Sequence, residues 1–135
     1  MNLPAWVEEY RGRPFERGAA GPSSYDCYGL CRAVLRDRWS VDAPSLDDVH
    51  LQDVEGRLAA ATAGDGAFWR EVEDAPRGGD VLAFLDPGPR HELHVGIVIA
   101  PGWMIHARRG VGVETARHDR LPWSALRVGG VFRPA

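Results

Sequence analysis

The sequence predicts an α+β fold in a single domain of 135 residues, with helices first and an antiparallel sheet of about five strands after them. Apolar residues in the first half recur at helical spacing, whereas those after Gly79 alternate or run in short extended segments. The later segments are joined by turns too short for the helical crossovers that a parallel sheet needs. A chain of this length buries roughly 65–70% of the surface it exposes when unfolded, enough for a core that needs no disulfide. No internal repeat, low-complexity tract or dividing linker interrupts it, so the domain is taken as residues 1–135.

Pro4 suits the first turn of a short helix reaching about Tyr10. Arg11 to Tyr25 contains five Gly and Pro residues and is expected to be irregular. From there Cys27, Leu30, Cys31, Val34 and Leu35 follow the i, i+3, i+4, i+7, i+8 pattern of an amphipathic helix, and Asp26 is its natural N-cap. A second helix is predicted from Ser45, where Ser-Leu-Asp-Asp resembles a capping box, through Val49, Val54 and Leu58 to about Gly64. The strands are predicted at Val81 to Leu85, Leu93 to Ile99, Trp103 to Ala107, Val111 to Thr115 and Val128 to Phe132.

Composition narrows the function. Apolar residues at 44% and charged residues at 26% are the balance of an ordinary globular domain. No apolar run approaches the roughly 20 residues of a bilayer span, so no membrane insertion is expected. The residues from Met1 to Tyr10 lack the basic start and apolar stretch of a secretory signal, so export by that route is not expected. A net charge of -3 argues against a sequence-independent nucleic-acid binder, which needs a clustered excess of basic residues. All 16 basic residues are Arg, and the Arg108-Arg109 pair could hold an anionic substrate or be plain solvated surface.

Cys27 and Cys31 lie four apart, which is neither the C-x2-C spacing of common zinc sites nor a geometry for a disulfide within one helix. Cys27 would stand in the first turn of its helix, where the macrodipole and unpaired N–H groups favour thiolate; Cys31, one turn further, reads as a buried apolar residue. In the run His94-Val95-Gly96-Ile97-Val98-Ile99, the odd-numbered residues form the core face, while His94, Gly96 and Val98 take the other. Gly96 leaves room for a neighbour. If Ala100-Pro101-Gly102 is a three-residue loop, Ile99 pairs with Trp103, Gly96 with His106 and His94 with Arg108, and the two histidines share a face; a loop one residue shorter or longer would separate them.

Cysteine and histidine in this relation support acyl transfer: the imidazole takes the thiol proton, the thiolate attacks a carbonyl carbon, and a third group holds the imidazole tautomer. Cys27, His94 and His106 fill those roles in that order, with N–H groups at the helix start to meet the oxyanion. No cofactor is needed for that chemistry, and no metal is expected. The competing reading of the same three residues is a zinc set.

The residues that carry this reading resemble the NlpC/P60 superfamily of papain-like cell-wall peptidases. The matching motifs are Asp26-Cys27-Tyr28-Gly29-Leu30, Gly79-Asp80-Val81, His94-Val95-Gly96-Ile97 and Met104-Ile105-His106-Ala107. Tyr10-Arg11-Gly12-Arg13-Pro14-Phe15, with Tyr28 after the nucleophile, resembles the members carried by phage tails and gene transfer agents. The resemblance implies a papain-like fold and a cysteine peptidase that cuts peptidoglycan stem peptide, usually after a γ-D-glutamyl residue. It implies Cys27 as nucleophile, His94 as base and His106 as orienting residue, with Tyr28, Phe15 and Arg108 toward the substrate. It further implies location in a virion or transfer-agent tail, after synthesis in the bacterial cytoplasm, with tail-tip or baseplate proteins as partners. Many relatives have a Tyr near Phe15, which here has no hydroxyl to lend to an oxyanion. Two alternatives are a structural or wall-binding tail protein that keeps the fold without cutting, and an amide-processing enzyme acting on a small molecule or lipid.

Overall fold

The structure is a computed structural model that describes residues 3–44, 68–85 and 93–134. A short 3-10 helix, Ala5–Glu9, stands where the Pro4 helix was expected. The helix α1, Cys27–Trp39, follows the irregular segment and is capped by Asp26, whose side chain accepts from the Gly29 N–H. The helix predicted from Ser45 lies outside the described residues.

Six strands form one antiparallel sheet in the order β1-β6-β2-β3-β4-β5: β1 (Trp69–Val72), β2 (Val81–Leu85), β3 (Leu93–Ala100), β4 (Trp103–Arg108), β5 (Gly112–Arg117) and β6 (Arg127–Pro134). A single helical turn, α2 (Trp123–Leu126), precedes β6. Five of the strands coincide with the predicted ones to within two residues; β1 is additional. Its burial runs buried, exposed, exposed, buried, which lacks the two-residue period by which strands are recognised, and it is held at the sheet edge by pairing with β6.

Both faces of the sheet are buried. On one, Val95, Ile97, Ile105, Val81 and Phe132 pack with the α1 residues Cys27, Leu30, Cys31 and Val34. On the other, Leu82, Phe84, Val98, Met104 and Val131 form a smaller cluster closed by Trp123. Assigning only the odd-numbered residues of β3 to the core was therefore incomplete, since Val98 is as inaccessible as Ile97. Nor is α1 amphipathic in its first turns: Gly29 is buried because the segment before the helix brings the Ala19 carbonyl against it, and Tyr28 is buried with its hydroxyl on the Pro44 carbonyl beyond the helix.

The β3–β4 turn departs from the expected register. Ala100, rather than Ile99, pairs with Trp103, so the loop is the two residues Pro101-Gly102; a bulge between Val98 and Ala100 then restores Val98↔Met104 and Ile97↔Ile105. The shorter loop inverts the strand by one residue and the bulge inverts it back. His94 and His106 consequently share a face by a different route from the one anticipated. Among the described residues the ladder stops at Ile97↔Ile105, so His94 and Arg108 do not pair.

Candidate active site

The end of that ladder positions the chemistry. Val98 gives its N–H to the Asp80 carbonyl on the β2 side of β3. Because N–H directions alternate along a strand, the Val95 N–H points to the β4 side, beyond the last pair. There it meets the Cys27 thiol, which also has the Cys27 and Tyr28 N–H groups of the helix start beside it. The thiol thus reaches the backbone of the residue that follows His94. Both cysteines are free and buried.

Two opposing effects act on Cys27. Three N–H groups favour the thiolate, but burial disfavours it and the adjacent Asp26 carboxylate adds to that, so the thiol is pushed up from 9.0 to about 12. The helix start alone was expected to favour thiolate; with 2% of the residue exposed, desolvation outweighs it. Cys31 is also raised well above its ordinary value, chiefly by burial, and lies in the α1-side core.

On the opposite face of β3, His94 is buried and its Nε2 lies 2.7 Å from Nδ1 of His106. The close approach is possible because residue 96 has no side chain: a Cβ there would stand 3.3 Å from the His106 Cβ and 2.9 Å from the Met104 sulfur. His106 is fully enclosed. Its Nε2 stands 3.1 Å from Oε1 of Glu114, its direct cross-strand partner on β5, and Arg108 Nη1 lies 3.5 Å from the same oxygen. Hydrogen bonding from His106 is the main influence holding the Glu114 carboxyl below its ordinary range, with Arg108 adding to it, against a burial that pushes it up.

Trp123 closes this face. Its ring lies 4.8 Å from that of His106, 5.7 Å from His94 and 5.4 Å from Phe84, and the Arg108 guanidinium sits over it at 5.4 Å. Neither Glu114 nor Trp123 was singled out from the sequence. Glu114 was accessible in principle: taking Arg109-Gly110-Val111 as a three-residue turn pairs His106 with Glu114. Trp123 comes from a single helical turn, too short for any periodicity.

The three residues expected toward the substrate each have their own partners. Phe15 is half-buried, bridges Tyr25 just before α1, and has the Arg109 guanidinium 5.7 Å from its ring. The Tyr28 ring is buried and its hydroxyl donates to the Pro44 carbonyl at 2.7 Å. Arg108 lies between Glu114 and Trp123.

Among the described residues no group of three His, Cys, Asp or Glu side chains is placed to hold a metal ion, and the facing nitrogens of His94 and His106 are turned on each other. No helix among them is long and apolar enough to cross a membrane. A concavity of about 270 Å³ lies at the far end of α1, between Leu35, Trp39, Gly79 and Arg133. Its charged groups are structural: Asp80 accepts two hydrogen bonds from the Arg133 guanidinium and one from the Arg77 N–H.

Known proteins share this fold. The model of the NlpC/P60 family matches residues 12–131. NlpC1 from Trichomonas vaginalis superimposes with a TM-score of 0.62 at 25% identity over 95% of this chain and 41% of that one. The NlpC/p60 domain of the peptidoglycan hydrolase SagA does so with a TM-score of 0.58 at 25% identity, over 97% of this chain and 94% of that one. A Staphylococcus aureus protein of the NLP/P60 family shares the fold at 22% identity and a TM-score of 0.61, this chain spanning 38% of its length. The chain thus spans about two fifths of the Trichomonas protein and nearly the whole of the SagA domain. No curated protein matches the sequence.

Proposed function

The chain belongs to the NlpC/P60 family, and from that premise we propose that it is a cysteine peptidase hydrolysing an amide bond in the stem peptide of peptidoglycan. The observation that carries the reading is the meeting of the Cys27 thiol with the Val95 N–H, next in the chain to the hydrogen-bonded pair His94 and His106. The likeness over nearly the full length of a peptidoglycan hydrolase domain supports the substrate class.

In this mechanism Nδ1 of His94 takes the proton of the Cys27 thiol as the sulfur attacks the amide carbon. The carbonyl oxygen, now carrying the negative charge, is met by N–H groups at the start of α1. The carbon–nitrogen bond breaks as the imidazolium returns its proton to the leaving amine, which leaves an acyl thioester on Cys27. Water, deprotonated by His94, then attacks the thioester and releases the carboxylic acid and the free thiol. Throughout, Nε2 of His94 stays bonded to His106, which fixes the ring.

The bond we assign joins γ-D-glutamate to the diamino acid. Phe15 and Tyr28 serve as walls of the substrate site, Tyr28 through its ring because its hydroxyl is engaged by Pro44. Arg108 supplies positive charge beside the histidine pair for a substrate carboxylate. We further assign the protein to the tail of a phage or gene transfer agent, docked on tail-tip or baseplate proteins; the Tyr10 to Phe15 segment and Tyr28 support that placement.

Mass spectrometry of purified peptidoglycan, incubated with wild-type protein or Cys27→Ala, tests the proposal. A new stem-peptide fragment made by wild type alone is expected, and its mass identifies the bond. Absence of any fragment from walls of different cross-link chemistry, with folded protein and a reduced thiol, would show that the fold serves binding rather than cleavage.

A further inference from the structure

A carboxylate stands beyond the hydrogen-bonded pair of histidines. Nε2 of His106 faces the carboxylate of Glu114 at 3.1 Å across the β4–β5 ladder, while its Nδ1 faces Nε2 of His94 at 2.7 Å. A neutral imidazole has one N–H and one acceptor nitrogen, and an ionised carboxylate only accepts. A lone pair 3.1 Å from an anionic oxygen is repelled, so the proton is favoured on the nitrogen facing Glu114 and Nδ1 of His106 is the acceptor. The proton shared by the two rings belongs in turn to Nε2 of His94, and Nδ1 of His94 is left as a lone pair. That is the tautomer a general base for a thiol requires. The opposite arrangement would put two acceptors face to face at Glu114 and a proton on Nδ1 of His94.

We infer that Glu114 is a positioning residue: through His106 it sets the tautomer of His94 and thereby determines which nitrogen can take the thiol proton. Arg108, 3.5 Å from the same carboxylate oxygen, keeps Glu114 ionised and so keeps it a pure acceptor. Among the described residues, His94 from β3, Glu114 from β5 and the Trp123 ring face His106, and of these three Glu114 alone is a carboxylate. The Glu114 side chain is 36% exposed, so its replacement leaves no enclosed cavity.

The role of His94 as base rests on the proposed peptidase mechanism, but the tautomer can be read without turnover. Nitrogen-15 chemical shifts of the imidazoles, recorded at mildly alkaline pH on the whole chain, should show both His94 and His106 as Nε2–H in the wild type. In Glu114→Ala and Glu114→Gln the Nδ1–H form of His106 should grow in. With cleavage of stem peptide as a second readout, both variants should lose about 10–100-fold in kcat, the usual scale for an outer group that orients an imidazole, with KM held within about twofold. Their acidic limb should move to lower pH, because the negative charge that favours imidazolium is gone. Wild-type His106 found as Nδ1–H, or variants that fold with unchanged tautomers and an unchanged acidic limb, would overturn the inference; should neither variant fold, the wild-type spectrum alone decides. Correct tautomers without any cleavage would leave Glu114 in this role and refute the peptidase reading instead.

Discussion

Cys27 is poised between two effects of different size. A helix start favours an adjacent negative charge by about 0.3–1 kcal/mol, up to roughly 2 in partly buried settings, whereas full burial can move a titrating group by up to about 3–5 pKa units. Burial wins, and in the proposed mechanism the thiol keeps its proton until the His94 imidazole takes it. Cys27→Ala and His94→Ala should therefore each lower stem-peptide cleavage by about a thousandfold or more, with unchanged circular dichroism. His106→Asn should retain more activity than His106→Ala, since an amide can still orient the ring. Cys31→Ala should leave activity within about twofold and cost roughly 1 kcal/mol in denaturant unfolding, having no part in the relay. The sequence made Cys27 and His94 legible through the local period of their segments, and His106 through its motif and an assumed three-residue loop that is a two-residue loop with a bulge. Glu114 was not, because its place depends on a partner strand and on the parity of one turn. Full desolvation of the thiol was not legible either, since it depends on packing from both α1 and the sheet.

At the scale of the element, the start of α1 is fixed by Asp26 and Gly29 together. Asp26 accepts from the Gly29 N–H at 2.5 Å and from the Gly18 N–H at 2.9 Å, tying the preceding loop to the helix. A Cβ on Gly29 would stand 2.1 Å from the Ala19 carbonyl oxygen, a main-chain group with no rotamer to change. Gly29→Ala would gain about 1 kcal/mol of helix propensity, but it must displace the loop or the helix start, an overpacking of typically ~1–3 kcal/mol. Lower thermal stability and a loss of activity larger than that of Cys31→Ala are expected, and a Gly29→Ala variant as stable and active as wild type would contradict this account of the helix start. The helix itself was predicted to the residue at its N-terminus by its cap and its apolar spacing. The β3–β4 turn was not, because a two-residue loop with a bulge and a three-residue loop give the same facing for His94 and His106. Periodicity also could not reveal β1, whose exposed residues come in a pair.

Across the whole molecule, the sheet is a partition with a core on each side, and the two sides meet the chemistry at the end of the β3–β4 ladder. Its far end is held by Asp80, which is buried and bonded twice by Arg133 from β6. Arg133→Ala would leave the buried Asp80 carboxylate with the Arg77 N–H and without its guanidinium, and a lower denaturant midpoint is expected. The α+β architecture and its order were readable because the period of apolar residues changes once along the chain. The covering of the second face was not, because among the described residues it centres on Trp123, from a helical turn too short to show a period. The buried acids also give the whole domain a pH dependence. Burial raises Cys27, Cys31, Tyr10, Tyr25 and Tyr28 above their ordinary values. Each stays protonated in the folded state while its unfolded counterpart ionises, so this stability is complete below the ordinary thiol value of 9.0 and is lost as pH rises toward the folded values, about 12 for Cys27. Thermal midpoints that fall steadily above that thiol range are expected, and a flat profile there would contradict the burial of these groups.

The claim on which the rest depends is that Cys27 forms a covalent bond with the substrate. Acid-quenching the protein during cleavage of stem peptide and weighing its proteolytic fragments tests it directly. The account predicts an acyl mass on the fragment containing Cys27 that disappears in Cys27→Ala together with the product; cleavage that continues in Cys27→Ala would contradict it.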